Sequence, residues 1–154
     1  MRAFRFDDTT FVNTAHITEN ERVMAVAVGP DGTIYFGSWD GHLYAASPEG
    51  DVRWAIDLKD RVTSAPAFGA DGRVFVSTFA GMLCAVRVAD GRPILDWQAE
   101  ANARYSSPLI SSDGKVYVGT LDGRLSAYAL ASGKKVGELT FRRKSWITAA
   151  PVPG

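Results

Sequence analysis

The sequence predicts an all-β chain, a partial β-propeller of four-stranded antiparallel blades, with about three full blades plus terminal partial blades. Three observations predict it. The stretch GTIYFGSWDGHLYA at 32–45 recurs as GRVFVSTFAGMLCA at 72–85 and as GKVYVGTLDGRLSA at 114–127. The copies are spaced by 40 and then 42 residues, within the range of propeller-blade repeats. Between glycine turns lie short alternating runs, IYFGS, VFVST and VYVGT, rich in β-branched and aromatic residues, which is a strand period rather than a helical one.

Each blade reads as strands A to D in order. Strand A is VMAVAV, SAPAF or SSPLI, and it ends at the first turn, Asp-Gly at 31, 71 and 113. Asp-Gly suits a tight turn because glycine reaches positive φ without a Cβ clash and aspartate bonds to nearby backbone. Strand B follows, then a second turn at Asp40-Gly41, Ala80-Gly81 and Asp122-Gly123. Strand C runs to a third turn at Gly50, Gly91 and Gly133, and strand D closes the blade. Such a meander has two apolar faces and too little core of its own, so copies stack, with strand A innermost.

The phase of the repeat sets expectations for both ends of a single incomplete propeller domain spanning 1–154. MRAF aligns with LYAA, LCAV and LSAY, so 1–22 reads as strands C and D of a preceding blade. Full blades follow at 23–62, 63–104 and 105–146. AAPVPG aligns with SAPAFG, making 147–154 strand A of a following blade. Three blades do not close a ring. The chain therefore reads as a portion of a longer propeller; the alternative is a homodimer in which the terminal A strand of one copy completes the C and D hairpin of the other.

Composition removes several function classes. With 17 basic and 17 acidic residues the net charge is zero, so no global field favours nucleic acid or an anionic membrane. Cys84 is the single cysteine, which excludes an internal disulfide and a CxxC site. No run approaches the ~18 apolar residues of a membrane span, and MRAFRFDDTT lacks the apolar core of a signal peptide. No P-loop or G-x-S-x-G elbow occurs, His16 and His42 lack ligand-spaced partners, and each Asp-Gly turn offers one carboxylate where calcium wants six or more oxygens. The sequence thus assigns no catalytic residue, no metal site and no cofactor to this chain.

Topology points to one face instead. In an A-B-C-D meander the B–C turns and the D–A connections emerge on the same side. That side carries Trp39, Asp40, His42, Phe79, Met82, Leu121 and Arg124 from the turns, and Arg61, Arg104, Tyr105, Arg143 and Trp146 from the connections. An arginine stands just ahead of strand A in each blade, Arg22, Arg61 and Arg104. Grouped at the channel mouth they would favour an anionic ligand or acidic peptide; the alternative is pairing with a carboxylate such as Glu21 or Asp60, or stacking on a neighbouring blade. Trp39, Phe79 and Leu121 share one repeat position and read either as an apolar rim for a partner or as packing between turns. FRRKSW at 141–146 reads as a solvated basic loop.

Written as a pattern, the repeat is S-x-P, D-G-x-V-Y-V-G-T, x-D-G-x-L-x-A, then G-x-x-x-W, clearest in YSSPLISSDGKVYVGTLDGRLSAYALASG at 105–133. It resembles the PQQ-like, quinoprotein-type propeller repeat over essentially the whole chain. The resemblance implies that Trp54, four residues after Gly50, docks one blade on the next. Leu95 and Gly137 stand where that spacing would put the tryptophan, with Trp97 two residues further on, so docking is expected to shift there. The family holds quinone-dependent alcohol and sugar dehydrogenases and non-enzymatic scaffolds, including the lipoprotein of outer-membrane-protein assembly. The dehydrogenases carry adjacent cysteines and calcium ligands that this sequence lacks, so the reading is a non-enzymatic binding or scaffold module with a protein or small-ligand partner. The alternative is a portion of a dehydrogenase whose catalytic blades, with PQQ and calcium, lie elsewhere. Family resemblance alone favours an extracytoplasmic or periplasmic setting.

Overall fold

The computed structural model describes residues 22–141, which hold twelve strands and no helix. The first sheet is β1 (Val23–Val28), β2 (Ile34–Ser38), β3 (His42–Ala46) and β4 (Val52–Asp57). The second is β5 (Ala67–Phe68), β6 (Val74–Ser77), β7 (Met82–Ala89) and β8 (Arg92–Glu100). The third is β9 (Leu109–Ile110), β10 (Lys115–Gly119), β11 (Arg124–Ala129) and β12 (Lys135–Thr140). Each is an antiparallel meander in sequence order. The strands expected at 1–22 and 147–154 lie outside the described residues, Arg22 apart.

The inner strands differ in length for a chemical reason. Proline has no N–H to give a ladder, so Pro66 and Pro108 hold β5 and β9 to two residues each. Beyond these short ladders two B-strand amides are taken by serine hydroxyls: Ser64 Oγ accepts from Ser77 N–H at 2.7 Å and Ser106 Oγ from Gly119 N–H at 2.9 Å. Both serines are buried. In the first blade Val26 occupies the proline's place, and β1 runs six residues.

All nine repeating turn glycines, from Gly32 to Gly133, have positive φ, the conformation that the Asp-Gly and related turns require. Beyond the third turn every C–D pair carries a bulge at the same place, between Ala45 and Ala46, Ala85 and Val86, and Ala127 and Tyr128. A bulge strengthens local twist, which a propeller blade needs.

The register corrects one expectation. Ala45 pairs with Trp54 and Ala85 pairs with Trp97, while Leu95 pairs with Val86. Trp97 therefore holds the Trp54 position and Leu95 corresponds to Val52. The count from glycine misleads because the β7–β8 hairpin is longer, closing through Ala89 opposite Arg92.

Two apolar seams join the three blades. Leu43, Leu58, Val62, Val74, Val76, Cys84 and Val86 form the first, with Tyr35, Trp54 and Phe68 packed against them. Trp54 meets Tyr35 edge-on at 5.7 Å, and Tyr35 meets Phe68 at 5.0 Å. The second holds Phe75, Leu83, Ala85, Val116, Val118 and Tyr128, with Trp97 against it. Trp97 donates its indole N–H to the Leu130 carbonyl at 3.0 Å. Docking there is in register, not displaced. Val62 belongs to both blades: its N–H donates to Ser38 O at 3.0 Å, it bridges Thr78 of the second sheet, and its side chain fills the space beside Gly37.

Candidate functional site: the face of B–C turns and D–A connections

Backbone hydrogen bonds hold the turns and connections together. Trp39 N–H donates to Arg22 O at 3.0 Å, Phe79 N–H to Arg61 O at 2.9 Å, and Leu121 N–H to Asn102 O at 3.2 Å. The third blade thus uses Asn102, in left-handed conformation at φ 51°, where the other two use the arginine.

On this frame the arginines and aromatics interleave. The Arg22 guanidinium carbon lies 4.8 Å from the Trp39 ring centre, and Arg61 lies 5.0 Å from the same ring. Arg61 also lies 5.6 Å from the Phe79 ring, and Arg104 lies 4.1 Å from it on its own account. Tyr105 meets Phe79 edge-on at 6.0 Å, from a backbone at φ 62° that bulky residues seldom adopt. The result is a ladder, Arg22, Trp39, Arg61, Phe79, Arg104, crossing both blade seams. Trp39 therefore faces guanidinium groups, with Arg61 interposed before Phe79. Leu121 has no π face and ends the series.

The ladder arginines have no carboxylate within ion-pair distance among the described residues, unlike Arg53, Arg73, Arg87 and Arg124. Asp60 does not pair with Arg61; its carboxylate accepts the backbone N–H of Arg61 at 2.9 Å and of Ala80 at 2.6 Å. Arg104 donates Nε–H to Phe79 O at 2.5 Å. The indole N–H of Trp39 is buried without a partner among the described residues.

The other candidates are committed within their blades. Asp40 accepts from His42 N–H at 2.8 Å and from the Tyr44 hydroxyl at 2.6 Å, with His42 Nδ1 at 3.2 Å. Arg124 is paired with Asp122 at 2.9 Å and Glu138 at 2.6 Å. The Lys135 ammonium and then Arg124 hold the Glu138 carboxyl below its ordinary range. Beside them a cleft of about 330 Å³ opens between the second and third blades, lined by Asn102, Asp122, Arg124, Tyr128, Lys135 and Glu138. Arg143 and Trp146 lie outside the described residues.

No group of three or more His, Cys, Asp or Glu among the described residues is arranged to hold a metal ion. Cys84 is buried in the first seam, and burial, with Asp60 as a lesser cause, pushes its thiol up to about 12. It packs rather than reacts. No helix of the described residues is long and apolar enough to cross a membrane.

Sequence reading placed the arginines and the rings on one face but treated them as two separate sets. The missed signal was their interleaving: each arginine precedes strand A, each ring ends strand B, and a four-stranded blade brings those two points together.

Comparison with known proteins follows the same architecture. A family described as outer membrane protein assembly factor BamB matches residues 12–150. Among solved structures, BamB from Moraxella catarrhalis is similar at a TM-score of 0.65 and 24% identity, over 77% of this chain and 37% of that one. The β-propeller domain of Cps50 (Swd1) from Myceliophteria thermophila is similar at 0.68 and 13% identity, over 84% and 44%. The computationally designed protein Ika4 is similar at 0.70 and 16% identity, over 91% and 85%. The match spans less than half the length of each of the two natural propellers. No curated protein matches.

Proposed function

The chain belongs to the family of outer membrane protein assembly factor BamB, and from that premise we propose that it is a non-enzymatic scaffold module. On this reading it engages a protein partner through the face of B–C turns and D–A connections. One observation carries it: that face gathers three arginines with no ion-pair partner among the described residues, set over aromatic rings across two blade seams. Arginine and aromatic residues are the side chains enriched at protein interfaces. The dehydrogenase alternative gains no support here, since the one thiol, Cys84, is buried between blades.

Site-specific photo-crosslinking in the source cells tests the proposal. A photoreactive residue at Ala80, exposed on this face, is expected to trap a discrete polypeptide, and one at Ser112, exposed in an A–B turn on the opposite side, is not. Trapping from Ser112 alone would overturn it.

A further inference from the structure

We propose that the Arg22–Trp39–Arg61–Phe79–Arg104 ladder is a docking track for an extended acidic segment of a partner protein. This rests on the face reading above and names the chemistry that the face selects. A guanidinium over a ring spends its π surface and keeps its N–H donors in the plane; Arg104 gives its Nε–H to Phe79 O, and its Nη donors remain to grip a carboxylate in bidentate fashion. Stacking also fixes the arginines before binding, which lowers the ordering cost. Arg22 and Arg61 both lie over the Trp39 ring, whose indole N–H has no partner among the described residues.

Spacing selects the occupant. Successive guanidinium groups are separated by one ring, each ring centre being 4.1 to 5.6 Å from its arginines. With one ring between neighbours the guanidinium groups form a row no more than ~10 Å from one to the next, a reach that acidic side chains at every second or third residue of an extended strand match by repeating at ~7 to ~10 Å. Nucleic acid is disfavoured because base stacking needs free ring faces, and those of Trp39 and Phe79 are covered by guanidinium. The acidic groups nearby are already engaged: Asp60 with backbone amides, Asp40 with His42 and Tyr44, and Asp57 with Lys59.

The test titrates the full chain with a labelled peptide alternating glutamate and serine, with its glutamine counterpart, and with oligothymidylate. The glutamate peptide is expected to bind at least about tenfold more tightly than the glutamine peptide, and to weaken as salt shortens the Debye length from ~30 to ~8 Å. Arg61→Gln should cost at least tenfold. Arg61→Lys, which keeps charge but loses the planar fork, should cost severalfold, and Arg92→Gln at the distant hairpin tip should cost nothing. Circular dichroism confirms folding of each variant, and Arg22→Gln at the ladder's exposed end supplies a second loss-of-binding variant. Equal affinity for the two peptides, unchanged binding by both Arg→Gln ladder variants, or tighter binding of oligothymidylate would overturn the proposal. If Ala80 still crosslinks a polypeptide in that event, the acidic track fails alone and the scaffold face stands. If neither occurs, both fail.

Discussion

At the residue scale, Gly133 and Trp97 make one lock between the second and third blades. A Cβ on Gly133 would lie 2.4 Å from the Trp97 ring, whereas one on Gly114 would meet nothing within 4 Å; both have positive φ. Either glycine replaced by alanine incurs the left-handed penalty of ~1–2 kcal/mol. Gly133→Ala should lose a further ~1–3 kcal/mol through overpacking, visible as a lower urea midpoint than for Gly114→Ala. Cys84 supplies a pH test. Its folded pKa is raised from 9.0 to about 12, so the neutral thiol stabilises the fold fully below pH 9. Above that the unfolded thiolate gains, and stability should fall by up to ~1.4 kcal/mol per pH unit until about pH 12. The hydroxyls of half-buried Tyr35 and buried Tyr128 shift in the same direction, each mainly through burial. Cys84→Ala should therefore flatten the alkaline decline without abolishing it, as followed by urea unfolding between pH 8 and pH 11.

At the element scale, the inner strands trade ladder hydrogen bonds for serine hydroxyls. Ser64→Ala and Ser106→Ala should each cost ~1–3 kcal/mol by leaving the buried Ser77 and Gly119 amides unsatisfied. Hydrogen exchange at those two amides should accelerate, while exchange in β2, whose partner β1 is a full strand, stays unchanged. This division was half legible in the sequence. The S-x-P pattern points to strand A in two blades, and the recurring turn glycines stand between the strands. Two inner strands are nonetheless far shorter than their apolar runs, because a run of apolar residues does not report where the N–H missing from a proline ends the ladder. The Trp97 register was misread for a related reason. Counting from a turn glycine assumes equal hairpin lengths, and only pairing across the sheet reveals the longer β7–β8 hairpin and the shared bulge. The bulges also aim charge: Arg53 reaches Thr33 at 2.6 Å, and Asp96 receives Arg73 at 2.7 Å.

At the largest scale, the described residues form three blades stacked through two seams, and among them the outer faces stay apolar. Val26 and Val28 of β1 are 56% and 61% exposed, and Leu139 of β12 is 62% exposed. Exposed sheet faces and edges of this kind favour association. Sedimentation velocity should show concentration-dependent self-association that Leu139→Lys and Val26→Lys reduce, with changes in unfolding free energy within ~0.5 kcal/mol. The site was legible as a face because topology alone decides which turns share a side. Its inner order was not, since contacts between residues of different blades follow from stacking rather than from any local pattern. That order has a further consequence. Blades of one repeat look interchangeable, yet each aromatic here rests between its own arginine and that of the next blade, so the series has a direction and a stop. A gene in which the second blade is duplicated should lengthen the ladder by one rung, whereas duplicating the third, with Leu121 and Asn102 in the corresponding places, should leave it as it is. The face thus carries a written order of blades, and the acidic segment proposed above would have to span more than one of them to read it.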